Sequence, residues 1–115
     1  MEFKMLFPGG YRVDDIYDDN LDVNIILENG DVYVGSVFTL QNIKTLMSRN
    51  GSRYFWSSDM IILEELSLKS INAAIEAVLK DDYFTQAFTK IGLIATVYSD
   101  FGWNHYSDVL KDIRD

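Results

Sequence analysis

The chain has 115 residues, a formal net charge of -8 and no cysteine. That length predicts one domain spanning residues 1–115. The missing cysteines exclude a disulfide scaffold, a Cys-based zinc site and a thiol nucleophile, and the acidity argues against nucleic acid, whose phosphates need clustered Lys and Arg.

Hydrophobic residues make up 48% of the chain, enough for a core without crosslinks. Residues 1–8 are too short and interrupted for a signal peptide. The apolar run at 91–99 falls far below the roughly 20 residues of a membrane span. A cytoplasmic protein without a membrane partner is expected. Charge is uneven: residues 1–35 carry a net -6, residues 36–58 a net +3 and residues 59–115 a net -5.

In chain order, residues 2–7 predict a short strand, stopped by Pro8-Gly9-Gly10. Residues 11–20 place Val13, Ile16 and Tyr17 at helical spacing among many acids, which fits either a helical turn or a loop. Leu21, Val23, Ile25 and Leu27 alternate with mostly polar neighbours, Asn29-Gly30 supplies a turn, and Val32, Val34, Ser36 and Phe38 alternate beyond it. A two-residue turn would set Leu27 opposite Val32, Ile25 opposite Val34, Val23 opposite Ser36 and Leu21 opposite Phe38. A slip by one residue would then expose that apolar face.

Residues 39–50 predict a helix capped by Thr39, with Leu40, Ile43, Leu46 and Met47 as its buried stripe and Asn50-Gly51 as its stop. Residues 54–79 form the densest apolar unit. Tyr54-Phe55-Trp56 leads through Ser57-Ser58-Asp59 into Met60-Ile61-Ile62-Leu63, a strand apolar on both faces and so expected inside the sheet or covered from both sides. Trp56 has the apolar area to be expected in the core. Ser67 caps a second helix with Leu68, Ile71, Ile75, Val78 and Leu79 inward, and Asp81-Asp82 breaks it. Residues 83–91 predict a third helix, with Phe84, Phe88 and Ile91 inward and Gly92 as its stop. Residues 93–98 lean towards strand, and residues 107–114 predict a closing helix that groups Val109, Leu110 and Ile113. The expected fold is α+β: an antiparallel sheet of about four strands with two to four helices packed mainly on one face.

Chemistry-bearing constellations are sparse. Asp18-x-Asn20-x-Asp22 copies the first three ligand positions of a calcium loop, but Val23 and Asn29 stand where Gly and Glu are required, so no metal is expected. Ser99, Asp100 and His105 are the residue types of nucleophilic catalysis without its structural context; a surface histidine is the simpler reading, and no catalytic residue is assigned. No cofactor motif is present. Asp14, Asp15, Asp18, Asp19 and Asp22 with Tyr11 and Tyr17 read either as a solvated loop or as an acidic face for a basic partner, with tyrosines as anchors.

Four stretches, Val23-Asn24-Ile25-Ile26-Leu27-Glu28-Asn29-Gly30, Phe38-Thr39-Leu40-Gln41-Asn42-Ile43, Tyr54-Phe55-Trp56-Ser57-Ser58-Asp59-Met60-Ile61-Ile62 and residues 84–91, resemble small bacterial immunity proteins of polymorphic and contact-dependent inhibition toxin systems. The resemblance spans residues 21–92 and is most specific at Tyr54-Phe55-Trp56-Ser57-Ser58-Asp59. It implies a non-enzymatic protein that binds a cognate toxin, often a nuclease with a basic surface, and occludes it. It carries no site motif onto this chain, so partner binding by Asp14, Asp15, Tyr17, Asp18, Asp19 and Asp22 rests on charge alone. A regulatory or adaptor domain that binds a peptide or small ligand is the alternative.

Overall fold

The computed structural model describes residues 1–81 and 83–113. Strands β1 (Phe3–Leu6), β2 (Asn20–Leu27), β3 (Asp31–Thr39), β4 (Met60–Leu63) and β5 (Thr89–Leu93) form one mostly antiparallel sheet, giving the expected α+β class. Helices α1 (Leu40–Asn50), α2 (Leu68–Lys80), α3 (Phe84–Ala87), α4 (Ile94–Val97) and α5 (Tyr106–Asp112) surround it, with a 3-10 turn at Ser99–Phe101. Of the expected closing helix, Arg114 lies outside the described residues, as does Asp82 of the expected break after α2.

Strand β3 is the centre. One of its edges pairs antiparallel with β2, which pairs in turn with β1. Its other edge is divided: Ser36 to Thr39 pair parallel with β4, and Asp31 to Val34 pair antiparallel with β5. Such a strand must be apolar on both sides, and β3 is: Tyr33 and Val37 pack on one face, while Val32 packs on the other. The first face also holds Val23, Ile25 and Leu27 and is covered by Ile71 and Ile75 of α2 and by Phe84 and Phe88. The second face sets Ile26 and Val32 against Ile94, Tyr98, Trp103 and Val109. Residues 94–113 thus close a second core over that face of the sheet.

The hairpin register differs from the expected one by one residue. Ile25 pairs with Tyr33 and Val23 with Gly35. The Asn29 side chain accepts from the Asp31 N–H at 3.0 Å, and the Gly30 N–H donates to the Leu27 carbonyl at 2.9 Å, with Gly30 at φ 97°. This asparagine turn lengthens the loop to Glu28-Asn29-Gly30. The slip exposes no apolar face, because both faces of β3 are covered.

The expected helix over 83–91 ends at Ala87, and residues 89–93 become β5. Thr89 and Ile91 are β-branched, and the half-edge of β3 left open beyond β4 offers residues 89–93 a row of backbone groups to pair with. Phe84 and Phe88 still face inward, but Ile91 sits exposed at a bulge where the β3–β5 register shifts. Gly92, at φ 150°, lies within the strand and stops no helix. Residues 94–97, read as β-leaning, form one helical turn.

Gly35 lies mid-β3 beneath the Phe88 ring. A Cβ there would overlap that ring and come within 2.8 Å of the Asp59 carbonyl oxygen, which itself accepts from the Ser36 N–H at 2.8 Å. Gly35→Ala is expected to destabilise the protein by about 1–3 kcal/mol through overpacking, read as a lower midpoint in urea. Gly9→Ala, with nothing near its Cβ, serves as the neutral control.

Candidate functional site

Helix α1 forms as its capping signals require. Thr39 Oγ1 accepts from the Asn42 N–H at 3.0 Å, and Gly51 ends the helix in the left-handed conformation. It is docked, however, by its polar side. Asn42 Nδ2 donates to Asp18 Oδ1 at 3.0 Å, Thr45 Oγ1 donates to Asp18 Oδ2 at 2.9 Å, and Asn20 Nδ2 donates to Asn42 Oδ1 at 2.8 Å. At about 100° per residue, Asn42, Thr45 and Arg49 share one side of the helix, and Leu40, Ile43 and Met47 lie roughly opposite. Asn42 is the buried residue of α1, while Leu40 is 67% exposed. Of the expected core stripe, Leu40 is therefore exposed and Ile43, Leu46 and Met47 are only half-buried.

That stripe forms one wall of an open groove of about 1050 Å³. Leu40, Ile43 and Met47 line it from α1, with Gln41 and Lys44; Ile62, Leu63 and Glu64 line it from β4 and the turn beyond, and Tyr17 joins from the acidic loop. Ile62 and Tyr17 are 55% and 57% exposed. Tyr17, Leu63 and Glu64 also line a second hollow of about 530 Å³ against α2. β4 is an edge strand beside this groove and Ile62 is exposed, so it is neither inside the sheet nor covered from both sides, the two positions its composition predicts. β4 and β5 lie end to end along β3, and among the described residues no strand pairs beyond either.

The acidic loop divides into residues that tie the fold together and residues that stay exposed. The Asp18 carboxyl is held below its usual pKa chiefly by the Asn42 hydrogen bond and then by that of Thr45, with a smaller contribution from Arg49. Asp19 Oδ1 accepts from the Asn20 N–H and Oδ2 from the Asp14 N–H, Asp15 Oδ1 accepts from the Tyr17 N–H, and Asp22 Oδ1 accepts from Ser36 Oγ. Tyr11 is structural: its hydroxyl donates to the Leu66 carbonyl at 2.5 Å, and its ring packs on Phe7. Of the predicted site residues, Tyr17 alone lines the groove. Asp14 and Asp15 are exposed on the same loop, and Asp22 lies on β2, bonded across to β3.

The aromatic trio is oriented opposite to expectation. Phe55 packs edge-on against Phe38 with centroids 5.3 Å apart, so Tyr54 and Trp56, on the alternate side of the chain, are 72% and 78% exposed. Trp103 is buried instead, its Nε1–H donating to Asp112 Oδ2 at 2.6 Å. His105 precedes α5, and its N–H donates to Asp108 Oδ2 at 3.0 Å. No hydrogen bond among the described residues joins His105 to Ser99 or Asp100. Glu65 accepts from Ser67 Oγ at 2.6 Å and from Ser70 Oγ, which together hold its carboxyl below the usual range and secure the start of α2. Among the described residues, no group of three or more acidic, His or Cys side chains could hold a metal ion, and no helix is long and apolar enough to cross a membrane.

The groove residues Leu40, Ile43, Met47 and Ile62 carry the signature of core in the sequence. The available hint was on the other side of α1, where Asn42 and Thr45 stand at i, i+3 with nothing apolar between them on that side. In comparisons with protein families, curated proteins and solved structures, nothing matches this chain.

Because the folded Asp18 carboxyl titrates below the unfolded value of about 4, its bonds stabilise the protein above that pH and are lost as pH falls through the folded pKa. Asp18→Ala is therefore expected to lower Tm at pH 7 and to converge with wild type near pH 2. A constant Tm difference across that range would show that the carboxylate charge is not what holds α1.

Proposed function

We propose that this protein is a non-catalytic protein-binding domain whose partner seats in the groove between α1 and β4. We further propose that the partner is a basic bacterial toxin, which the protein neutralises in the cytoplasm by occlusion. One observation carries the binding reading: α1 spends its polar side on the fold and leaves its apolar side facing an open groove. Leaving that stripe partly in water forgoes about 25 cal/mol of hydrophobic stabilisation per Å² left exposed, a cost typical of surfaces kept for a partner. Exposed Tyr54, Trp56 and Tyr17 are of the types that dominate binding energy. Asp14 and Asp15 would steer a basic surface towards the groove. The toxin assignment rests on the resemblance in residues 21–92. A regulatory domain that binds an apolar peptide would use the same groove without conferring protection.

The test is co-expression with a toxic domain, sought first in the genes that flank this one. The wild-type protein should restore growth. Leu40→Glu with Ile62→Glu, both at exposed positions of the groove, should abolish protection while folding stability stays within about 0.5 kcal/mol per surface change. Full protection by that variant would remove the groove as the site. Asp14→Asn with Asp15→Asn, which keeps the Asp18 and Asp19 hydrogen bonds, should slow association about threefold or more at low salt and flatten its salt dependence. An unchanged association rate would limit the loop acids to a solvating role.

A further inference from the structure

The sheet has three outer edges, and two of them are guarded. β1 carries Lys4, and β5 carries Lys90, paired with Asp31 at 3.2 Å, together with the bulge at Ile91. Charge and bulges are the usual devices that keep an edge from pairing with another chain. β4 is Met60-Ile61-Ile62-Leu63, with no charge, proline or bulge.

Its backbone is also available. The Asp59 carbonyl points to β3, where it accepts from the Ser36 N–H. Alternation along a strand then turns Ile61 and Leu63 towards β3 and the N–H and C=O groups of Met60 and Ile62 outward. Among the described residues, nothing bonds to those outward groups. The groove lies beside them, with the α1 stripe as its far wall.

We infer that β4 is a docking rail: an extended segment of the partner adds to it as a further strand, with its backbone bonded to Met60 and Ile62 and alternate apolar side chains set against Leu40, Ile43 and Met47. Main-chain bonds supply affinity in such pairing, and the pocketed side chains supply specificity. Charge selects the occupant. Among the described residues that line the groove, Glu64 is balanced by Lys44, and the excess negative charge comes from its surroundings: Glu65 beyond the rail, and Asp14 and Asp15 on the loop that supplies Tyr17. Two copies of a -8 chain paired through β4 would set these acids against each other, whereas a segment flanked by Lys or Arg is attracted. The inference rests on the groove as the binding site but not on the partner being a toxin.

The test uses the full chain and two probes: a toxic domain against which the protein protects in the growth test, and a short peptide of alternating Val and Thr with two Lys at each end. Amide exchange by NMR should find the Met60 and Ile62 N–H groups fast in the free protein and slowed about tenfold or more by either probe. Ile62→Pro removes the outward N–H while leaving the bonds to β3 intact, and should weaken peptide binding about tenfold; Ile62→Thr, which retains the N–H, should weaken it less. Equal losses in the two variants would overturn the rail, as would toxin neutralisation without protection of Met60 and Ile62; in that second case the proposed function stands. Protection by the peptide with no effect on the toxin leaves the rail standing and removes the toxin. Protection that rises with protein concentration alone would make a second copy the occupant and overturn the choice of a basic partner.

Discussion

The fold depends on β3 accepting neighbours in every direction. It pairs with β2 along one edge and with β4 and β5 along the other, and it is packed on both faces. Gly35 makes the crowding possible, because the Phe88 ring and the Asp59 carbonyl occupy the space a side chain would take. Phe88 lies between α3 and β5, and Asp59 is the residue before β4. The close approach at Gly35 therefore couples the two segments that complete the divided edge. Asp59 adopts φ 52°, an uncommon conformation for a residue with a side chain, on the way into that contact.

A second constraint acts through Asp18. Its carboxylate takes one hydrogen bond from Asn42 and one from Thr45, which fixes the rotation of α1 about its axis. A helix on a protein surface usually turns its apolar stripe inward, since burial is non-directional and cheap to satisfy. Here directional bonds to a charged group decide the rotation, and Leu40, Ile43 and Met47 are left at the groove. Departures from the usual burial pattern concentrate at functional surfaces, which is why the groove, more than the acid count, directs the functional reading.

Local signals were legible where one residue type answers one physical need. Thr39 and Ser67 cap α1 and α2, Gly51 ends α1, and Val23, Ile25 and Leu27 share a buried face, all as their spacing predicts. Legibility fails where two arrangements are locally equal. β3 is apolar on both faces, so alternation cannot choose its register, and the Asn29 side chain chooses it by engaging Asp31. The acidic loop was legible as a surface feature, but not its division into Asp18, which ties down a helix, and Asp14 and Asp15, which remain exposed.

Composition and short-range pattern by themselves determined the α+β class, the order of the first elements, the caps and the acidic character. These follow from interactions within a few residues. Tertiary structure alone decided that residues 89–93 are a strand, that Trp56 lies outside while Trp103 lies inside, that β4 is an edge and that the apolar side of α1 lines an open groove. Each of those outcomes depends on a partner distant in sequence: the free half-edge of β3, the Phe38 ring, the lack of a strand beyond β4 among the described residues, and the Asp18 carboxylate. The strength of a hydrogen bond or an apolar contact depends on which groups meet, and only the folded chain determines which groups those are.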